Sequence, residues 1–284
     1  MFNVVTDTKY LILAVMISLL SLNSCSGSGD KAKAQALLDS ATEAFQNGDY
    51  TKALELTDSL RSAYPSEIDI RREALHLSTR ATEGLTLKRL ETADSLLAVL
   101  GVRGDSLSRL VRFVENPIEG YYVAGNVKDG NIVGSNGLQA RLSPSGDFYM
   151  ISSLKAKQVK STSVTVECNG ERATTSTIAH DGERNDRSMG AEIITFMAPE
   201  CDTVAVFIAK HVNQPMTLTF NGTSAYKMPL PKAQAQNIAT LYDYAVTLRR
   251  AKLASLEKEK LTRAIDISRT QAAKTFVEKT EDEE

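Results

Sequence analysis

The pattern of apolar and polar positions divides the chain into three parts. From Asp30 to Glu115, apolar residues recur at spacings of three and four among Ala, Leu, Glu, Lys and Arg, which predicts helices. Near Asn116-Pro117 the pattern changes to short runs of Val, Ile, Thr, Phe and Tyr broken by turn residues, and this continues to Pro231. The predicted strands are Tyr121 to Val127, Leu138 to Leu142, Phe148 to Ser152, Ser163 to Cys168, Ala173 to Ile178, Glu192 to Met197, Thr203 to Lys210, Met216 to Phe220 and Ser224 to Met228. Ser163 to Cys168 alternates strictly, as a half-buried strand requires, whereas Val204 to Ala209 is continuously apolar and reads as a central strand. Asp129-Gly130, Asn169-Gly170, Asn221-Gly222 and Ser143-Pro144-Ser145-Gly146 supply tight turns, so the strands should form an antiparallel sandwich or barrel.

After Pro229-Leu230-Pro231 the helical spacing returns, with Ile238, Leu241, Ala245 and Leu248 on one face, then Leu253, Leu256, Leu261 and Ile265. A phase shift near Lys252 interrupts a single coiled-coil seam. This long helix is expected to return alongside the first helical section, with the β domain inserted between. The fold class is therefore α+β: a helical arm, a central antiparallel β-sandwich or barrel, and a C-terminal helix packing back on the arm.

At the N-terminus, Tyr10 to Leu22 carries no charge and follows Lys9. A span of this length falls short of the roughly 20 residues a membrane helix needs and matches the apolar region of a signal peptide. Leu22-Asn23-Ser24-Cys25 resembles the lipobox of bacterial lipoproteins. The resemblance implies cleavage before Cys25, acylation of that cysteine with chains such as palmitate, and a site of action in the cell envelope. Ser26, rather than Asp, follows the cysteine, which by the same resemblance points to the outer membrane of a Gram-negative bacterium. Ser26-Gly27-Ser28-Gly29 then reads as a flexible tether.

Within the helical section, Ala44-Phe45-Gln46-Asn47-Gly48-Asp49-Tyr50-Thr51-Lys52-Ala53-Leu54 leads to Tyr64-Pro65. Gly48 permits a tight turn, Ala53 a close helix crossing, and Pro65 stops the second helix. With Ala41, Gly48, Tyr50, Ala53 and Pro65 in place, the stretch resembles one tetratricopeptide (TPR) repeat. Leu54-Glu55 and Asp58-Ser59-Leu60 recur as Leu90-Glu91 and Asp94-Ser95-Leu96, which predicts a second, degenerate helix pair from Ser66 to Gly101. The resemblance implies either a groove for a protein partner or a helical spacer.

The expected organisation is thus a signal peptide over 1–24, the lipidated cysteine and tether over 25–29, TPR-like helices over 30–116, an all-β domain over 117–231, a long helix over 232–277 and an acidic tail over 278–284. Glu278, Glu281, Asp282, Glu283 and Glu284 repel one another and offer no apolar face, so the tail is expected to be solvated and disordered.

Charge and chemistry narrow the function. A net charge of −2 gives no field for nucleic acid. The sequence holds no nucleophile elbow, HExxH, phosphate-binding glycine loop or CxxC. With Cys25 acylated, Cys168 and Cys201 remain as either a disulfide or two buried thiols. The loop His180 to Arg187 holds three carboxylates that could meet Ca²⁺ or simply be solvated. Tyr121, Tyr122, Phe148 and Tyr149 could form a platform for a sugar or peptide, or divide between core and surface. His76, His180 and His211 fit no ligand spacing and read as packing or surface residues. The expectation is a noncatalytic envelope lipoprotein without metal or cofactor, held to a membrane by its lipid and acting as an assembly scaffold for a protein partner. The alternative is a glycan- or small-ligand-binding lipoprotein that uses its β domain.

Overall fold

The computed structural model describes residues 27–127, 132, 134–187 and 190–276, so Cys25, the apolar N-terminal run, the Asp129-Gly130 turn and the acidic residues from Glu278 on lie outside them. The chain is α+β and divides into two units. One runs to Ala93 and takes in the chain from Glu257 on; the other is Asp94–Leu256.

The first unit is helical. Helix α1 (Gly27–Gln46) and α2 (Tyr50–Ala63) form an antiparallel pair, followed by the first part of α3 (Ile68–Ser108). Gly48 adopts φ +72° and lets the chain reverse; Asp49 then caps α2 by accepting the Lys52 N–H at 3.1 Å. Ala41, Ala53 and Leu60 are wholly buried where the helices meet, and Ile70, Ala74 and Leu77 bring α3 onto the same core. Each large side chain buried this way contributes about 1.5–3 kcal/mol.

The long C-terminal helix α5 (Lys232–Thr275) packs against α3, as the apolar pattern predicts. Within the helical unit, Arg269 Nε donates to Glu83 Oε1 at 2.7 Å, and Thr275 Oγ1 lies 3.3 Å from His76 Nδ1. Within the second unit, Arg103 grips Asp243 with two guanidinium nitrogens, at 2.6 and 3.2 Å.

The second unit contains two antiparallel sheets. The larger comprises β1 (Val111–Val114), β2 (Tyr121–Ala124), β3 (Gly137–Leu142), β4 (Phe148–Leu154), β8 (Glu192–Met197) and β7 (Asn185–Asp186), in that spatial order. The smaller runs β10 (Ala225–Pro229), β9 (Thr217–Asn221), β5 (Ser163–Cys168), β6 (Glu171–Thr174). One core joins Leu142, Phe148, Met150 and Phe196 from the first sheet with Val164, Val166, Leu218 and Phe220 from the second, and with Ile238 and Leu241 of α5. In β5, Val164, Val166 and Cys168 enter the core while Thr165 and Glu167 turn outward, the alternation its sequence displays.

Four expectations need correction. Thr203 to Lys210, read as a central strand, lies in helix α4 (Ala198–Lys210), so the domain is not all β. The apolar run conceals a helical stripe: Cys201, Val204, Ala205 and Ile208 are fully buried while Val206 is half exposed. Pro199 suits the first turn, and Glu200 accepts the Met197 N–H at 2.8 Å, so the helix has a start signal.

The second helix pair is instead one continuous helix of 41 residues. Gly84, in its middle, serves close packing rather than a turn: a Cβ there would come 2.5 Å from Cζ of Tyr50. The helical section ends at Ser108 and not near residue 116, because Val111–Val114 pairs with β2. Helix α1 begins at Gly27, inside the expected tether; unpaired N–H groups are normal in a first turn, and Asp30 favours its positive end.

Candidate binding grooves

In the helical unit, a groove of about 290 Å³ opens between α2 and the first turns of α3. Pro65 ends α2, and the turn it makes sets Arg61 opposite Arg71 and Arg72 across the opening. Ile68 is 65% exposed and Leu75 48% exposed; seven residues apart, they share one helix face and give the groove apolar ground. Arg61 pairs with Asp58 at 3.0 Å and Arg72 with Asp69 at 3.7 Å, both on the solvated surface where such pairs are weak. Arg71 is held more firmly. One terminal nitrogen donates to the Pro65 carbonyl at 2.8 Å, while its buried Nε has no hydrogen-bond partner. Guanidinium groups beside exposed aliphatic side chains suit an extended segment carrying both carboxylates and apolar residues.

The second unit has its own groove of about 520 Å³, between the turn after β3 and the face of α5 that carries Tyr244, Leu248, Arg249 and Lys252. The Ser143 and Ser145 hydroxyls are 2.6 Å apart, Ser145 Oγ donates to Asp147 Oδ2 at 2.6 Å, and the Asp147 N–H donates to Ser143 Oγ at 3.1 Å. A carboxylate at the end of this relay orients the hydroxyls, whereas forming an alkoxide needs a stronger base. Facing them, Arg249 lies 3.8 Å from Asp202. Burial pushes the Asp202 carboxyl up, against the pull of Arg249, and burial likewise raises the Tyr244 phenol. Hydroxyls, a carboxylate, two tyrosines and a cationic rim make a surface for a polar, hydroxyl- or amide-rich ligand.

The four aromatic residues singled out in the sequence do not form one platform. Strand alternation sends Tyr122 and Phe148 to the core side of the sheet and Tyr121 and Tyr149 to the other. Phe148 is fully buried and meets Tyr242 edge-on at 5.2 Å, while Tyr122 lines the second groove. On the other side, the Arg141 guanidinium stacks 4.0 Å from the Tyr121 ring centre, and burial raises the Tyr149 phenol despite the opposing pull of Arg141.

Cys168 and Cys201 are free, buried thiols rather than a disulfide. Cys168 donates to Gln214 Oε1 at 3.1 Å; Cys201 donates to the Phe196 and Met197 carbonyls, and burial pushes its thiol up to about 12. The loop His180 to Arg187 is organised from within. Asp181 Oδ1 accepts the N–H groups of Glu183, Arg184 and Asn185, which hold its carboxyl below the usual range, and buried Asn185 donates to the Ser161 and Ile178 carbonyls. Among the described residues, no group of three or more His, Cys, Asp or Glu is arranged to hold a metal ion. The histidines lie apart: His76 at Thr275, His180 at the Asn185 carbonyl, and His211 at Gln214.

Arg71 and Gln214 carry no motif that would single them out in the sequence. Gln214 Oε1 accepts from Cys168 and Asn169 and lies 3.0 Å from His211 Nδ1, a convergence visible only in three dimensions. Among the described residues, no helix is long and apolar enough to cross a membrane. Comparison with protein-family models, curated proteins and solved structures finds no match to the chain.

Proposed function

We propose that this chain is a noncatalytic envelope lipoprotein, anchored through acylated Cys25 at the outer membrane, that serves as a scaffold by binding another protein through its helical unit. The observation that carries this reading is the α2–α3 groove, where Arg61, Arg71 and Arg72 border exposed Ile68 and Leu75. Large apolar side chains left exposed beside guanidinium groups are typical of recognition surfaces. The partner segment would be extended, acidic and partly apolar. Crosslinking in intact cells tests it. The unaltered protein should capture a defined partner, and the Arg61→Glu, Arg72→Glu double variant should lose it while keeping its helical circular dichroism. Equal capture by both would rule out this groove.

A second reading has its own support in the β-bearing unit. The Ser143, Ser145 and Asp147 relay opposite Tyr122, Tyr244 and Arg249 fits a glycan or another small polar ligand. A glycan array decides: a sugar hit lost in Asp147→Ala and Arg249→Ala, with no protein captured in cells, would replace the first reading by the second.

A further inference from the structure

We infer that β1, at the open end of the larger sheet, pairs with β1 of a second copy of this chain about a two-fold axis and joins the two sheets into one. The inference rests on neither groove and stands apart from the function proposed above.

The backbone supports it. Among the described residues β1 has one strand neighbour, β2, with Val111 opposite Ala124 and Phe113 opposite Tyr122. One step earlier the Gly125 N–H donates to the Leu110 carbonyl at 2.8 Å, which marks 110 and 125 as a hydrogen-bonded position of the ladder. By antiparallel alternation Arg112 and Val114 also turn their backbone groups toward β2, and Val111 and Phe113 turn theirs outward. An extended strand is what such a row of donors and acceptors fits. The opposite end of the sheet, β7, is two residues long and offers no comparable row. Side chains add apolar ground, with Leu110 53% exposed and Phe113 46% exposed. Phe113 is nonetheless held in place: it lies edge-on to Tyr122 with ring centres 5.0 Å apart, and over Gly120, where a Cβ would collide with its ring.

Charge makes a second copy the occupant. Arg109-Leu110-Val111-Arg112-Phe113-Val114-Glu115 is complementary to itself in antiparallel register. With Arg112 on the axis, each Val111 lies opposite the second copy's Phe113, so the outward backbone groups meet as hydrogen-bonded pairs. Arg109, just before the strand, then comes opposite the second copy's Glu115, and the two-fold axis makes this pair twice. Both residues are exposed and neither has an ion-pair partner among the described residues. A shift of two residues in either direction separates them. The like charges on the axis are drawn aside, because Arg112 Nε and Nη2 both donate to the Val127 carbonyl, at 2.9 and 2.5 Å, in the chain that leaves β2. A pairing this short buries less than a permanent interface needs, so the dimer is reversible.

The test mixes two variants of the full chain, Leu110→Cys and Val114→Cys, and oxidises them together and apart. In the inferred register these positions face each other across the axis with Cα atoms about 4.5 Å apart, within the reach of a disulfide. The mixture should give a crosslinked dimer, whereas each variant alone should stay at the level of the unaltered chain, whose Cys168 and Cys201 are buried. Crosslinking in the mixture no higher than in either variant alone would overturn the inference. Sedimentation supplies a second measurement. Arg109→Glu should raise the dimer dissociation constant roughly tenfold, and adding Glu115→Arg to it should restore the value, with circular dichroism unchanged throughout. A double variant that dimerises no better than Arg109→Glu alone would also overturn it.

Discussion

Glu192 holds Ser161 twice with one oxygen: the Ser161 N–H donates to Glu192 Oε2 at 2.8 Å and the Ser161 hydroxyl donates to the same atom at 2.6 Å. The other carboxylate oxygen accepts the Lys160 N–H at 2.6 Å, where Lys160 takes φ +55°. The side chain is buried to 1% exposure, so the carboxylate joins β8 to the start of β5 from inside the fold.

Glu192→Gln should therefore cost about 3 kcal/mol, because an amide group replaces one acceptor oxygen and leaves buried donors unpaired. The pH dependence follows from the direction of the shift. Burial raises the Glu192 carboxyl, but the Ser161 hydroxyl and the N–H groups of Ser161, Lys160 and Val159 outweigh it and hold it below its usual value of 4.5. A lowered folded value contributes stability that is complete above the unfolded value and is lost as pH falls through the folded one. Urea unfolding between pH 7 and pH 3 should show this acid loss in the unaltered protein and a smaller loss in the variant.

Gly84→Ala should destabilise the helical unit by about 2 kcal/mol, since the new methyl would meet the Tyr50 ring at 2.5 Å. The cost should be strongly non-additive with Tyr50→Ala, which vacates the same space. Thermal unfolding of the two single variants and the double variant measures the coupling, and simple additivity would contradict the packing.

Asp202→Asn should change stability at pH 7 by no more than about 1 kcal/mol, and in the stabilising direction if at all. Its folded carboxyl is raised by burial, so ionisation opposes folding once pH passes the unfolded value, while Arg249 at 3.8 Å recovers only part of that cost. Chemical denaturation at pH 7 and at pH 3 checks the sign: any gain seen at pH 7 should vanish in acid, where both forms are neutral.

Neither Cys168 nor Cys201 should react with a thiol reagent in the folded protein, and both should do so in denaturant. Adding a reductant should leave the melting temperature unchanged. A shift of several degrees would instead indicate a bond between them.

Much of the fold is legible in the pattern of residues, because β5 and the Gly48 turn announce themselves through alternation and a backbone-specific residue. Val204 to Ala209 misleads for a physical reason. A short apolar run is compatible with either a strand or a buried helix, and what decides between them is the start signal at Pro199 and Glu200 together with the exposure of Val206. The repeated Leu-Glu and Asp-Ser-Leu segments suggest a turn in α3, yet Gly84 there answers to a ring from another helix, a tertiary demand with no local signature. The grooves were still less visible. Arg61 and Arg71 are ordinary surface residues in sequence and become a pair of facing walls only once Pro65 has turned the chain.

The outer strand of the smaller sheet, β10, exposes alternate residues, among them Lys227 and, at its end, Pro229. A protruding ammonium group and a residue without an amide hydrogen make that rim a poor template for a further strand from a second molecule. Replacing both with Val would be expected to turn a well-behaved protein into one that self-associates through its margin, with turbidity rising on storage.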